Sequence, residues 1–321
     1  MSAQKPIVVV GSINTDLVAV TKRIPIAGET VLGSDFQIHP GGKGANQAVA
    51  VARLGYPVRL IGRLGNDTFG AELRTHIEKA GVEITGVSTS DGVSGVAVNV
   101  VSENGENSIV LTPGANFKVT PEDIDVNISI LRSAGMVLAQ LEIPLETIEY
   151  LVRVCARENV PLILDPAPAR DLPAGIFKDL AWFTPNQTEA AFYLGDKHSE
   201  SRQLPPAEMA KMFLSNGCRG VVLKMGAHGT YLASKDGLGS LVPAFPVHAI
   251  DTTAAGDAFN AGFATGLMLG KSPLDSAAFA AAVAAISVTR VGAQPSMPTM
   301  AEVEDFMESE SPNIANEFVE R

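Results

Sequence analysis

The chain has 321 residues, 46% hydrophobic and 18% charged, with a mean hydropathy of +0.18. These values suit a folded protein of one large domain, or a domain with an appendage, and exclude a disordered chain. Lys and Arg number 24 against 35 Asp and Glu, a net charge of −11 and a pI near 5.0, which argues against nucleic acid as the partner and still allows a local basic cleft for small phosphates.

The two cysteines, Cys155 and Cys218, lie in apolar segments with no Cys or His at metal spacing. They read as buried thiols in a reducing compartment, and a disulfide framework is out. The first residues, MSAQKPIVVV, lack the apolar core of a signal peptide. No apolar run approaches the length of a membrane span. The expectation is a cytoplasmic protein without a membrane partner.

In chain order, Ile7–Val10 is an all-apolar, β-branched run, the pattern of a strand buried on both faces. Gly11-Ser12-Ile13-Asn14-Thr15-Asp16 follows, without the glycines of a dinucleotide fingerprint. Asn14 and Asp16 fall just past a strand end, where open α/β sheets bind ligands; they also suit a plain turn. Residues 17–40 alternate loosely around turn signals at Ile24-Pro25 and Ala27-Gly28 and read as strands or hairpins. Pro40-Gly41-Gly42-Lys43-Gly44-Ala45-Asn46-Gln47 then leads into a helix over Ala48–Leu54, ended by Gly55. This is a glycine turn at a helix start, able to hold a ligand against the backbone or merely to cap the helix. It is not a P-loop, because Gly44 follows the lysine where Ser or Thr belongs.

Val58–Gly65 reads as a strand, and Gly70–Ala80 as a helix closed by Gly81. Gly95–Val101 and Ser108–Thr112 flank an Asn104-Gly105 turn, a hairpin signal. Two hairpin insertions, near 17–40 and 94–112, can thus pair into one small sheet over a site. From about residue 120 strands and helices alternate. Strands are expected at Met136–Leu141, Pro161–Leu164, Leu180–Thr184 and Gly220–Lys224, and extended segments at Tyr231–Ser234 and Val242–Phe245. Helices are expected at Pro144–Arg157, Thr188–Leu194 and Leu204–Ser215. Such alternation means a mostly parallel sheet with helices on both faces. The acidic tail after Met300 reads as a surface helix with a loose end.

Two patterns are set aside. Gly266-Leu267-Met268-Leu269-Gly270-Lys271-Ser272 resembles a Walker A loop, but its first glycine is one residue too close and it comes at a helix end before Pro273. His39, His76, His198, His228 and His248 are scattered without ligand spacing.

The stretch that carries most chemistry is Ala249–Gly262, AIDTTAAGDAFNAG. An extended segment (Phe245–Ile250) enters a small-residue turn framed by Asp251 and Asp257, then a helix. Backbone N–H groups at such a turn suit an anion, and Asp257 beside it can act as a general base on an alcohol. A helix-capping Asp after an Ala/Gly turn is the other reading.

Taken together with PGGKGANQA, PGAN at Pro113–Asn116, LAQLEIP (Leu138–Pro144), TPNQTE (Thr184–Glu189), KMGAHG (Lys224–Gly229) and SVTRVGAQPS (Ser287–Ser296), this stretch resembles the ribokinase family of carbohydrate kinases over nearly the whole chain. The resemblance implies a single three-layer α/β/α domain over 1–321 with a small β-sheet lid. It implies ATP-dependent phosphorylation of D-ribose at the 5-hydroxyl. Alternatives are another sugar or nucleoside kinase, such as one for deoxyribose, or a catalytically silent sugar-binding protein.

Residue by residue, Asp257 matches the family's base, and the amides of Ala254, Ala255 and Gly256 match the anion hole for the transferring phosphoryl group. Asn14, Asp16, Gly42, Lys43, Asn46, Glu142 and Asp251 match sugar-binding positions. Asn186 and Glu189 match the pair that organises Mg²⁺, in part through water. Asn186, Lys224, Gly226, Gly229, Gly256 and Asp257 match nucleotide positions. Asp251, Thr253, Ser287, Arg290, Gly292 and Ser296 match a loop for a monovalent cation, K⁺, bound mostly through backbone oxygens. Ala281 departs from the pattern, since relatives often place His or Asn near the adenine. A homodimer through the lid edges is also expected, because open edge strands seek pairing.

Overall fold

Alternate residues of the first strand, β1 (Ile7–Val10), enter two different cores. Ile7 and Val9 join one cluster, Val8 and Val10 the other, and all four are fully buried. The computed structural model describes residues 4–195 and 204–317. After β1 come β2 (Asn14–Thr21), β3 (Gly33–Gly41), α1 (Lys43–Arg53), β4 (Val58–Gly65), α2 (Thr68–Lys79), β5 (Glu83–Ser90), β6 (Gly95–Ser102), β7 (Asn107–Thr112), α3 (Pro121–Val126) and α4 (Ile128–Ser133). The second half runs β8 (Met136–Ala139), α5 (Leu145–Arg157), β9 (Leu162–Leu164), β10 (Trp182–Phe183), α6 (Gln187–Tyr193), α7 (Pro206–Ser215), β11 (Gly220–Lys224), β12 (Thr230–Ser234), β13 (Gly239–Val242), α8 (Ala255–Met268), α9 (Pro273–Val288) and α10 (Met300–Glu317).

Nine strands form the main sheet in the order β13-β12-β11-β10-β9-β8-β1-β4-β5, parallel from β5 to β11 and antiparallel at β12 and β13. The alternation seen in β1 recurs in β8, where Met136 and Leu138 face one core and Val137 and Ala139 the other. Helices α1, α2, α8 and α9 contribute to the first core, and α3, α4, α5 and α7 to the second. The result is three layers, helix over sheet over helix, with strands that read as continuous apolar runs because neither face meets water. The chain builds outward from β1 through β4 to β5, then returns to build β8 to β11 on the other side. Beside β1 lies the switch point of this open sheet, where ligands bind past the strand ends.

A second sheet, in the order β3-β2-β6-β7, joins the two hairpin regions. β2 pairs antiparallel with β3 and β6 with β7, while β2 and β6 run parallel from Asn14↔Gly95 to Thr21↔Ser102. Asn14 therefore opens a strand of this small sheet, where the sequence predicts a ligand-binding position past a strand end or a plain turn, with hairpins beginning only at residue 17.

Several boundaries differ from expectation. Helix α1 begins at Lys43, five residues before Ala48, since the glycine turn is itself the helix entry. The extended segment expected at Val242–Phe245 is a strand ending at Val242, because pairing with β12 stops there. Strand β5 and helices α3 and α4 had no clear period in the sequence. β5 buries Ile84, Gly86 and Val87 among exposed and half-buried polar residues, and the two helices are six residues each. The Walker-like segment spans the end of α8 and the entry to α9, where Ser272 caps the helix by accepting from the Asp275 amide at 3.1 Å. Helix α10 carries the acidic tail; the loose end expected after it and His198 lie outside the described residues. Among the described residues no helix is long and apolar enough to cross a membrane.

The helix that carries the candidate base packs unusually closely on its neighbour. A Cβ at Gly262 would lie 2.9 Å from the Ala280 Cα, and one at Gly266 would lie 2.9 Å from the Ser276 Cα. Glycine at these two points lets α8 and α9 approach backbone to backbone. Trp182 meets Phe263 edge to face at 5.1 Å between centroids. Helix α8 is thus a rigid mount for what sits at its N-terminus.

Candidate active site

Helix α8 starts from Ala254 in the left-handed conformation (φ 59°), a backbone state a residue with a Cβ adopts at a cost of about 1–2 kcal/mol. The Ala255 amide closes a turn onto the Thr252 carbonyl at 3.2 Å, and Gly256 and Asp257 follow in the first helical turn. A helix start offers amides without intrahelical partners and the positive end of the helix dipole. Lys224 reinforces this: a Cβ on Gly256 would lie 3.5 Å from its Nζ.

Asp257 is 3% exposed and held from two sides by α1. Asn46 Nδ2 donates to its Oδ2 and Gln47 Nε2 to its Oδ1, each at 3.0 Å. Asn46 is oriented in turn, its Oδ1 accepting from Gln294 Nε2 at 3.1 Å. Burial pushes the Asp257 carboxyl up to about 6, with Lys43 opposing and Asp165 adding to the rise. A carboxylate of this kind is ionised near neutrality yet basic enough to take a proton from an alcohol.

Glycines 42 and 44 bring the start of α1 against the connection after β1. Gly42 has φ 87°, and a Cβ there would be 2.6 Å from the Asn14 amide; one on Gly44 would be 2.6 Å from the Gly11 carbonyl carbon. That approach gathers the expected sugar-binding residues. Ser12 Oγ donates to Glu142 Oε2 at 2.5 Å, and the Lys43 amide donates to the same oxygen at 3.3 Å. Asp16 sits over Gly41, across the β2–β3 pair. Burial, then the carboxylates of Glu142 and Asp257, push Asp16 up to about 7 against the pull of Lys43. For Lys43, burial opposes the charge, but Asp257, Glu142, Asp165 and Glu189 together raise its pKa, so it stays an ammonium. Asn14 Oδ1 accepts from Asn116 Nδ2 at 2.6 Å, while Asn116 Oδ1 accepts from the Ile13 amide at 2.8 Å.

Asn186 and Glu189 form a capping box at the start of α6. The Asn186 amide donates to Glu189 Oε2 and the Glu189 amide to Asn186 Oδ1, both at 2.8 Å. Asn186 also bridges to Lys224 at the end of β11. Gly226 (φ 58°) and Gly229 (φ 86°) turn the chain between β11 and β12. Lys224 Nζ is 2.9 Å from Asp165 Oδ1.

Asp251 pins a loop beside this turn. Its Oδ1 accepts from the Thr253 amide at 2.9 Å and its Oδ2 from the Gly292 amide at 2.8 Å. Burial opposes the charge on Asp251, but these bonds hold its pKa below the usual value. Its own amide and that of Ile250 donate to the Val288 carbonyl. The hydroxyls of Ser287 and Ser296 donate to the carbonyls of Ala284 and Ala293, and Arg290 pairs with Glu302 on α10 at 2.7 Å. Ser287 thus bonds within α9, while Ser296 and Arg290 tie the loop to itself and to α10. Ala281 packs, half-buried, against the first core.

Five polar residues that bind this site together carried no assigned role in the sequence: Gln47, Asn116, Gln140, Asp165 and Gln294. Gln47, Asn116, Gln140 and Gln294 stand inside motifs already singled out, and Asp165 follows the strand expected at Pro161–Leu164. Their partners are distant in sequence, so spacing alone could not assign them.

The geometry agrees with what the chain resembles. A family model described as pfkB family carbohydrate kinase matches residues 4–300. The ribokinase of Bacillus subtilis is 39% identical over 302 residues, covering 94% of this chain and 99% of that relative. The crystal structure of the Thermotoga maritima ribokinase superposes with a TM-score of 0.86 at 40% identity, covering 94% of this chain and 99% of its own. The structure of the Arabidopsis thaliana ribokinase complexed with ribose and ATP does so with a TM-score of 0.87 at 33% identity, covering 95% and 99%. The chain belongs to the pfkB family of carbohydrate kinases.

Proposed function

We propose that this protein transfers the γ-phosphoryl group of ATP to the 5-hydroxyl of D-ribose, giving D-ribose 5-phosphate, with Asp257 as general base. The observation that carries the reading is the buried Asp257 carboxylate at the start of α8, clamped by Asn46 and Gln47 and within electrostatic reach of Asp16 on β2. A polyhydroxylated substrate needs such partners, since each buried polar group left unpaired costs about 1–3 kcal/mol. Asn14, Asp16, Gly42, Lys43, Asn46, Glu142 and Asp251 take the sugar. Asp257 accepts the hydroxyl proton while the turn at Ala254–Gly256 and Lys224 stabilise the phosphoryl charge. The structure of the relative with ribose and ATP supports the pairing of substrates.

Asn186 and Glu189 organise Mg²⁺ on the nucleotide phosphates. The capping box engages only one of the two Glu189 oxygens, which fits a magnesium that keeps its waters. The Asp251–Gly292 loop, with its oxygen donors beside the turn, takes the monovalent cation. The nucleotide lies along Lys224–Gly229.

The two sheets belong to one domain over 1–321, in which the strands at 17–40 and 94–112 act as a lid. Phe36, Ile38, Ile109 and Val110 are exposed on that sheet, and a homodimer through it covers them. Sedimentation at micromolar concentration tests this; a monomer refutes it. Two buried free thiols suit a cytoplasmic enzyme.

The test is ADP release from ATP and Mg²⁺ with D-ribose, 2-deoxyribose, fructose or adenosine, each with and without K⁺. A ribose-selective, K⁺-stimulated rate is expected. Turnover on another acceptor moves the substrate assignment and keeps the mechanism. Silence on all four with sugar binding intact overturns the reading in favour of a sensor.

A further inference from the structure

Gln47 stands between two buried carboxylates. Its Nε2 donates to Asp257 Oδ1 at 3.0 Å and to Asp165 Oδ2 at 3.1 Å. Its amide orientation follows from these two bonds, since ionised carboxylates only accept, and its Oε1 then accepts from Gln140 Nε2 at 2.7 Å. Asp165, 3% exposed just past β9, gives its other oxygen to Lys224 Nζ at 2.9 Å. Lys224 in turn faces the Gly256 turn. Ends of β8, β9 and β11, with α1 and α8, thus meet in one chain of contacts from the nucleotide loop to the base.

We propose that Asp165 is a positioning residue: it holds Lys224 at the anion-binding turn and, through Gln47, sets the orientation and charge balance of Asp257. The inference rests on the assignment of Asp257 as base. A buried ion pair contributes little net stability compared with apolar packing, so its place here is explained by what it aligns. Removing either member leaves the other buried and unpaired, and Asp257 feels the difference. Lys43 from α1, Asp16 from β2, Glu142 from the segment after β8 and Glu189 from α6 also bear on this cluster. They are unchanged in the variants below, so the comparison isolates the pair.

The experiment is the pH profile of kcat with ribose and ATP for the wild type, Asp165→Asn, Lys224→Met and the double variant, each checked by thermal melting. Asp165→Asn removes a negative charge near the base, which favours the ionised form, so the acid limb moves down by about one pH unit. Lys224→Met leaves Asp165 uncompensated, so the limb moves up by about the same amount, and KM for ATP rises. The double variant returns towards the wild type. If Asp165→Asn does not fold, the Lys224→Met and double variants carry the test. Acid limbs that coincide in the folded variants overturn the proposal. A wild type inactive on every sugar overturns the functional reading alone. In that case the ¹³C carboxyl titration of Asp257, identified by its loss in Asp257→Asn, is compared between variants, and coincident midpoints overturn the proposal.

Discussion

Asn46 and Asp257 are separated by 211 positions in sequence and joined by a 3.0 Å hydrogen bond from the Asn46 amide to the Asp257 carboxylate. The bond links α1, which the diglycine segment opens, to α8, which carries Asp257. Gly44, which lets α1 lie against the Gly11–Ser12 backbone, sits two residues before Asn46 on the same helix.

Replacing Asp257 by Asn keeps the side-chain volume and removes the base. Turnover is expected to fall about 10²–10⁴-fold, the usual contribution of a general base, with ribose binding retained. Steady-state kinetics with isothermal calorimetry on ribose checks both. A rate equal to that of the wild type removes Asp257 from the mechanism.

The same carboxyl makes stability depend on pH. Its pKa rises from 3.8 to about 6 on folding, so between those values the native state binds more protons than the unfolded chain. Folding stability from this group is then present at low pH and lost as pH rises through about 6, a difference of about 3 kcal/mol. The stability of the wild type relative to Asp257→Asn should therefore increase as pH falls from 7 towards 4. Urea melts across that range measure the difference, and a flat difference contradicts it.

Asn116 reaches Asn14 and both polar groups of the Ile13 backbone. Asn116→Ala strips these buried partners at about 1–3 kcal/mol and frees Asn14. The expected result is a lower melting temperature and a raised KM for ribose, with a smaller change in KM for ATP. Equal changes in both constants would argue that the residue acts only on the fold.

Gly44→Ala places a Cβ against the Gly11–Ser12 backbone at 2.6–2.8 Å. Neither neighbour is a movable side-chain tip, so α1 must shift. A stability loss of about 1–3 kcal/mol is expected from the overpacking, together with a fall in kcat because Asn46 and Gln47 ride on that helix. Denaturant melts and turnover on one preparation test the coupling.

Asp251→Ala removes the acceptor for the Thr253 and Gly292 amides. Stimulation by K⁺ should then disappear while a basal, cation-independent rate remains at a raised KM for ribose, since Asp251 also takes the sugar. A K⁺ titration of initial rate reads this directly; stimulation equal to that of the wild type places the cation elsewhere.

Most of the architecture was legible in the sequence because strands buried on both faces need unbroken apolar runs, as in Ile7–Val10, and glycine turns mark where helices begin. The two hairpin regions announced themselves by alternation and by Asn104-Gly105. Strand β5 was not legible, since its two large apolar residues, Ile84 and Val87, stand three apart and out of strand alternation, and α3 and α4 are too short to show a period. The motif around Asp257 pointed to a base or a cap; local pattern cannot separate these, because both place a carboxylate at a helix start. Tertiary structure added the burial of Asp257 and its hydrogen bonds from Asn46 and Gln47. It also decided the partners of Gln47, Asn116, Asp165 and Gln294, whose roles come from residues that only the folding of the two sheets brings within hydrogen-bonding distance. Residue type and local spacing are written along the chain, whereas desolvation and charge coupling depend on what surrounds a group in space.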